Sequence, residues 1–256
     1  MSTTTMVVLL GRQFRALRAS WATWALVGAA VFFAVLSPVT ARYLPEILGG
    51  IIGGDQMIPI DVSALPDPTP ADAWAQWASD LAQLIVVIVA VVAASAVSAD
   101  VARGTEVPVL ARGVSRTGLW ASAFAAVAAT VSVVAVASTA LVIAVTSLLF
   151  DGLSASDIAA PVAGTALWLL FALSVIAVTM AASGAGASSL GAAAAGITYF
   201  AMMAVAGMWP PLMEWSPAGV LAAKDASAEP GAIGVTIAVI AAAIALGIAS
   251  FNRKEL

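Results

Sequence analysis

Between Gln83 and Phe251 the chain runs through long apolar stretches whose interiors hold no Asp, Glu, Lys, Arg or His. This constrains the fold more than any motif does. Stretches of about 20 apolar residues match the length that a ~30 Å hydrocarbon layer requires of a helix. Inside lipid a chain must also close its own backbone hydrogen bonds. An all-α membrane protein follows. A span interior without ionisable groups offers no proton relay or counter-ion of its own. Energy for any work would then enter from a partner, through the one strongly charged stretch expected on the inner side, Asp100–Arg116.

Hydrophobic residues make up 62 % of the chain and charged residues 9 %, so no soluble domain is expected on either side. Abundant Ala and Gly favour close helix approach and a tight bundle. Cys and His are absent, which removes a thiolate nucleophile and the commonest metal ligand and general base. The two lysines, Lys224 and Lys254, stand outside any glycine-rich phosphate loop. P-loop hydrolysis of ATP is therefore not expected of this chain, and nothing in it calls for a nucleic-acid partner.

Residues 5–19 carry Val7, Leu10, Phe14, Leu17 and Trp21 at helical spacing, with Arg12, Arg15 and Arg18 off that face. An amphipathic helix in the inner headgroup layer is expected. Six spans follow, at about 20–39, 80–99, 117–150, 158–182, 190–208 and 232–251, as one transmembrane domain over residues 1–256. Ser37-Pro38 is expected to end the first. Six spans put both termini on one side. With that side cytoplasmic, eight of the ten Lys and Arg lie inside, as the positive-inside rule asks. Trp21, Trp24, Trp74, Trp77, Trp120, Trp209 and Trp215 fall near span ends as an aromatic belt, and Trp168 does not.

The outer segments are 40–79 and 209–231. In the first, Thr69-Pro70-Ala71-Asp72 reads as a helix start, with Thr as cap and Pro at the first helical position. In the second, Pro210, Pro211, Pro217 and Pro230 break the chain into short helices.

Segment 100–116 opens with Asp100 and Arg103. Gly104-Thr105-Glu106 marks a helix start, Leu110 falls within the short helix, and Gly113 ends it after Arg112. Ser115 can cap the third span, which opens at Arg116. Such a stretch serves either to fix topology by charge or to dock a soluble motor. In Asp100, Gly104-Thr105, Val107–Leu110 and Val114-Ser115-Arg116, the chain resembles the membrane subunit of an ABC-2 type exporter. Leu36-Ser37-Pro38, Arg42-Tyr43-Leu44-Pro45-Glu46 and the basic tail Phe251-Asn252-Arg253-Lys254 add to the likeness. Asp100 replaces the usual Glu, and Ala111-Arg112-Gly113 replaces a commoner basic-Pro pair. The resemblance implies a half-transporter in the plasma membrane, paired with an identical or related copy. A separate ATPase would bind ATP and Mg and dock on residues 100–116, leaving no cofactor in this chain.

In related permeases the first and fifth spans meet the partner copy. Gly191 and Gly196 would permit that approach, and Tyr199, Met202 and Met203 could line an apolar path. Ordinary packing within the bundle explains the same residues. A copper site at Met202, Met203, Met208 and Met213 lacks Cys or His to complete it. Asp61, Asp67, Asp72 and Asp80 read as solvated loop charge. Other functional classes are an ATP-independent secondary transporter or channel, and a non-transporting scaffold. An intramembrane hydrolase would use Ser183 or Ser188-Ser189, with no base at hand to activate them.

Overall fold

A computed structural model describes residues 3–52, 67–102, 114–223 and 227–253. Among these the protein is all-α. Six helical stretches are long and apolar enough to cross a membrane: Trp21–Ile47, Pro70–Ala96, Arg116–Leu149, Ala155–Gly184, Ser189–Ala206 and Pro230–Asn252.

The elements are α1 (Thr3–Ala19), α2 (Trp21–Ile52) and α3 (Pro70–Asp80), then a π-helical turn (Leu81–Ile85) leading into α4 (Val86–Ala102). After them come α5 (Arg116–Leu149), α6 (Ala155–Gly184), α7 (Ser189–Ala206), α8 (Pro210–Glu214), α9 (Pro217–Ala222) and α10 (Pro230–Asn252). α5 has 34 residues, about 50 Å as a straight rod. It touches α1, α2, α3, α4, α6 and α10. α7 lies along α4 and α6, and α10 lies along α6.

The first span departs from expectation, because α2 runs through Pro38 and Pro45 instead of stopping at Ser37-Pro38. Proline removes a helical N–H, and nearby hydroxyls occupy the disturbed turn. Ser37 Oγ lies 2.6 Å from the Phe33 carbonyl, and Thr40 Oγ1 lies 2.9 Å from that of Leu36. In lipid such side chains let a proline-bearing helix continue.

Capping sets several ends. The Thr69 backbone N–H and hydroxyl both donate to the Asp72 carboxylate, at 2.8 and 2.7 Å, so the second spanning helix starts at Pro70. Ser115 Oγ accepts from the Gly118 N–H at 3.1 Å at the start of α5. Ser154 and Asp157 form a reciprocal cap on α6. The proline-rich segment folds as α8 and α9, held close by glycine: a Cβ on Gly219 would collide with the Met213 carbonyl.

α1 meets the bundle through Leu10, Phe14 and Leu17 of the expected face, with the contact shifted toward Leu9 and Gln13. Leu9, Gln13 and Leu17 are buried, while Val7 and Trp21 are exposed. The aromatic belt is also smaller than expected. Trp21, Trp24, Trp209 and Trp215 are exposed, whereas Trp74, Trp77 and Trp120 are core residues.

At the end that holds the start of α5 and the close of α10, α6 and α10 touch nearly backbone to backbone, with the Trp120 ring of α5 packed on the contact. A Cβ on Gly247 would sit 2.6 Å from the Trp120 ring, and one on Gly184 would sit 2.7 Å from the Gly247 carbonyl oxygen. Gly247→Ala should therefore destabilise the purified protein by about 1–3 kcal/mol through overpacking. Gly28→Ala, where a Cβ meets nothing within 4 Å, should change stability by no more than about 0.5 kcal/mol. Unfolding in mixed micelles measures both.

Candidate functional site

Two places hold polar side chains in arrangements that ordinary helix packing does not require. One lies at the α4–α5 junction and the other where α3 passes into α4.

At the junction, Asp100 belongs to α4. Arg103, Gly104, Thr105, Glu106, Leu110 and Arg112 lie outside the described residues. Ser115 caps α5. The Arg116 guanidinium donates to the Asn252 carbonyl at 3.2 Å, and the Asn252 amide donates to Thr117 Oγ1 at 3.1 Å. The first turn of α5 is thereby tied to the last turn of α10. Nearby, Arg15 Nε donates to the Gly11 carbonyl within its own helix. Arg18 is exposed, and its carbonyl accepts from the Trp24 indole at 2.9 Å, linking α1 to α2. Arg12 is partly buried.

The second place was not singled out from sequence. Because the spanning helix begins at Pro70, Asp80 lies within it, 9 % exposed, instead of in a solvated loop. Ser37 Oγ approaches Asp80 Oδ2 at 2.8 Å, so its single proton serves either that oxygen or the Phe33 carbonyl. Gln76 Nε2 donates to Asp80 Oδ1 at 3.3 Å. The helix that supplies the second candidate span therefore carries a buried ionisable group just before its long apolar run, held between α2 and α3. A signal for it was present. Ala73, Trp77 and Asp80 stand four and three residues apart in a helix whose start was already marked by Thr69-Pro70.

One residue further, the π turn leaves the Leu81 carbonyl accepting from the Val86 N–H and from the Trp168 indole, the latter at 2.9 Å. This explains the one tryptophan that does not fit the belt. π turns inside α-helices are frequent at functional sites. Beside it, Trp74, Trp77, Ser79, Gln83, Gly164, Thr165 and Trp168 help to line a cavity of about 130 Å³, closed on one side by Val220 and Leu221 of α9. The Trp74 and Trp77 indole nitrogens are buried without a hydrogen-bond partner.

The residues expected on a pathway or dimer face do not share one. Gly196 is turned inward, where a Cβ would collide with Thr179 Oγ1 and lie 3.2 Å from Ala90. Tyr199 donates to Ser174 Oγ at 3.0 Å and stacks on Phe171, with Met203 packed into the same cluster. Gly191 and Met202 face outward. Among the described residues no group of three or more His, Cys, Asp or Glu could hold a metal ion.

Residues 61–256 match the model of a family described as Protein of unknown function (DUF2705). The chain belongs to that family. The match takes in everything from the approach to α3 to the end of the chain. No curated protein matches the chain.

Asp80 and Ser37 should be energetically coupled. Ser37→Ala is expected to cost about 1–3 kcal/mol when Asp80 is present and much less in an Asp80→Leu background. A double-mutant cycle of unfolding free energies measures the difference. Trp168→Phe should cost about 1 kcal/mol through loss of the Leu81 hydrogen bond.

Proposed function

We propose that the chain is the permease subunit of an ABC-2 type exporter in the plasma membrane, with both termini cytoplasmic. Two copies, identical or related, form the pathway, and a separate ATPase docks on residues 100–116. The observation that carries this reading is the fastening of the start of α5 to the end of α10. Ser115 caps the first turn of α5, and Arg116 and Thr117 bind Asn252 at the end of α10. A force on the segment before Ser115 would act on a long rod that contacts six other helices. ATP-driven closure of the partner supplies the differential binding energy that an otherwise passive bundle lacks. ATP and Mg are held by that partner, and this chain performs no hydrolysis.

A second reading, an ion-coupled transporter working alone, draws support from Asp80, since a buried carboxyl in a span is a common element of ion pathways. The two readings separate experimentally. For the exporter, an ATP-binding-cassette ATPase co-purifies with the chain from native membranes, and Arg112→Glu with Arg116→Glu abolishes the association. For the alternative, the purified chain alone accumulates solute on an ion gradient, and Asp80→Asn stops it. Topology can be tested because the chain has no cysteine of its own. Ala71→Cys should react with an impermeant maleimide in intact cells, whereas Ala111→Cys should react only after lysis. Labelling of Ala111→Cys in intact cells would sink the docking assignment.

A further inference from the structure

We propose that the cavity between α3, the π turn, α6 and α9 binds the quaternary ammonium head of an amphiphile. The site is complete within one copy of the chain and needs no ATPase, so it stands or falls apart from the exporter reading.

Size limits the ligand first. The cavity measures about 130 Å³, and cavities of about 150 Å³ admit a benzene-sized group. A compact trimethylammonium head fits this limit and a sugar head does not.

Lining chemistry comes next. Three indoles, Trp74, Trp77 and Trp168, meet at the cavity with neutral polar groups of Ser79, Gln83 and Thr165, and among the described residues no charged side chain lines it. Trp168 has a hydrogen-bonding reason to be tryptophan. Trp74 and Trp77 do not, since their indole nitrogens have no partner although buried. Phenylalanine would fill such positions without a stranded donor. What indole adds is the most electron-rich face among the aromatic side chains, the best surface for a cation.

The surroundings favour positive charge as well. Among the described residues, the connections at this end carry Asp67, Asp72, Asp151, Asp157, Glu214 and Glu229, with Arg42 as their counterweight. At the rim Gln83 is exposed, and beside it Leu84 and Val162 are 48 % and 53 % exposed. A hydrocarbon tail leaving the cavity finds an apolar surface there, continuous with the lipid-facing side of the bundle.

The test uses the purified full chain in nanodiscs of neutral lipid, with binding followed by calorimetry. Dodecyltrimethylammonium should bind saturably. Its uncharged tert-butyl isostere should bind about tenfold more weakly, as loss of a desolvated cation–π contact implies. Choline, the head without the tail, should also bind more weakly than the amphiphile. Gly164 lines the cavity, and a Cβ there meets nothing within 4 Å. Gly164→Leu should therefore fill the space and remove saturable binding while keeping the unfolding midpoint. Trp74→Phe should weaken binding several-fold with the midpoint unchanged or raised, which keeps the test decisive if Gly164→Leu proves unstable. Equal affinity for the isostere, or undiminished binding by a folded Gly164→Leu, overturns the proposal. Choline binding as tightly as the amphiphile would overturn the amphiphile assignment and make this a site for soluble cations.

Discussion

A carbonyl that loses its helical partner inside a bilayer has no water to turn to. That constraint explains where polar side chains occur in this bundle. Ser37 and Thr40 donate to the Phe33 and Leu36 carbonyls in the turns around Pro38, and Trp168 reaches from α6 to the Leu81 carbonyl in the π turn. Ser122, Ser138 and Ser174 likewise donate to carbonyls of their own helices three residues back. Most intramembrane hydroxyls here are spent on backbone. Those that bridge helices stand out: Ser37 to Asp80, Tyr199 to Ser174, and Thr139 to Thr165.

Small residues determine how near the helices come, and the approach differs from place to place. Around Trp120, Gly184 and Gly247 there is no room for another carbon. Around Gly164 there is, in a cavity lined by three indoles and by Val220 and Leu221 of α9. The same Gly- and Ala-rich composition thus yields jammed contacts at Gly184, Gly247 and Gly219 and open space beside Gly164.

Much of the fold could be read in advance, and the reasons are local. Helix type and number follow from apolar length alone, and Thr69-Pro70 and Ser115 mark helix starts by short-range capping chemistry. The errors came where tertiary contacts override a local rule. Pro38 reads as a stop because proline usually is one, but α2 continues through it to Ile52 while its Ser37 bonds across to α3. Asp80 reads as loop charge because its partner, Ser37, lies 43 residues away. Gly196 reads as room for a second copy and Tyr199 as lining of a path, but both pack against α4 and α6. Site chemistry was therefore less visible than architecture, since it depends on pairs distant in the chain.

The widened turn at Leu81–Ile85 also sets the angular phase of the helix that contains it. Trp77, Leu81, Ile85 and Val89 all belong to the same core cluster. They are spaced four apart without a break, which a regular 3.6-residue turn would let slide off one side. The extra residue absorbs that slip. If one residue were deleted there, the half toward Ala102 would rotate by roughly 100° against the half that carries the indoles, turning valines outward and whatever follows Ala102 to a new bearing. The polar clasp at one end and the aim of the connecting segment at the other are thus geared through a single loose turn.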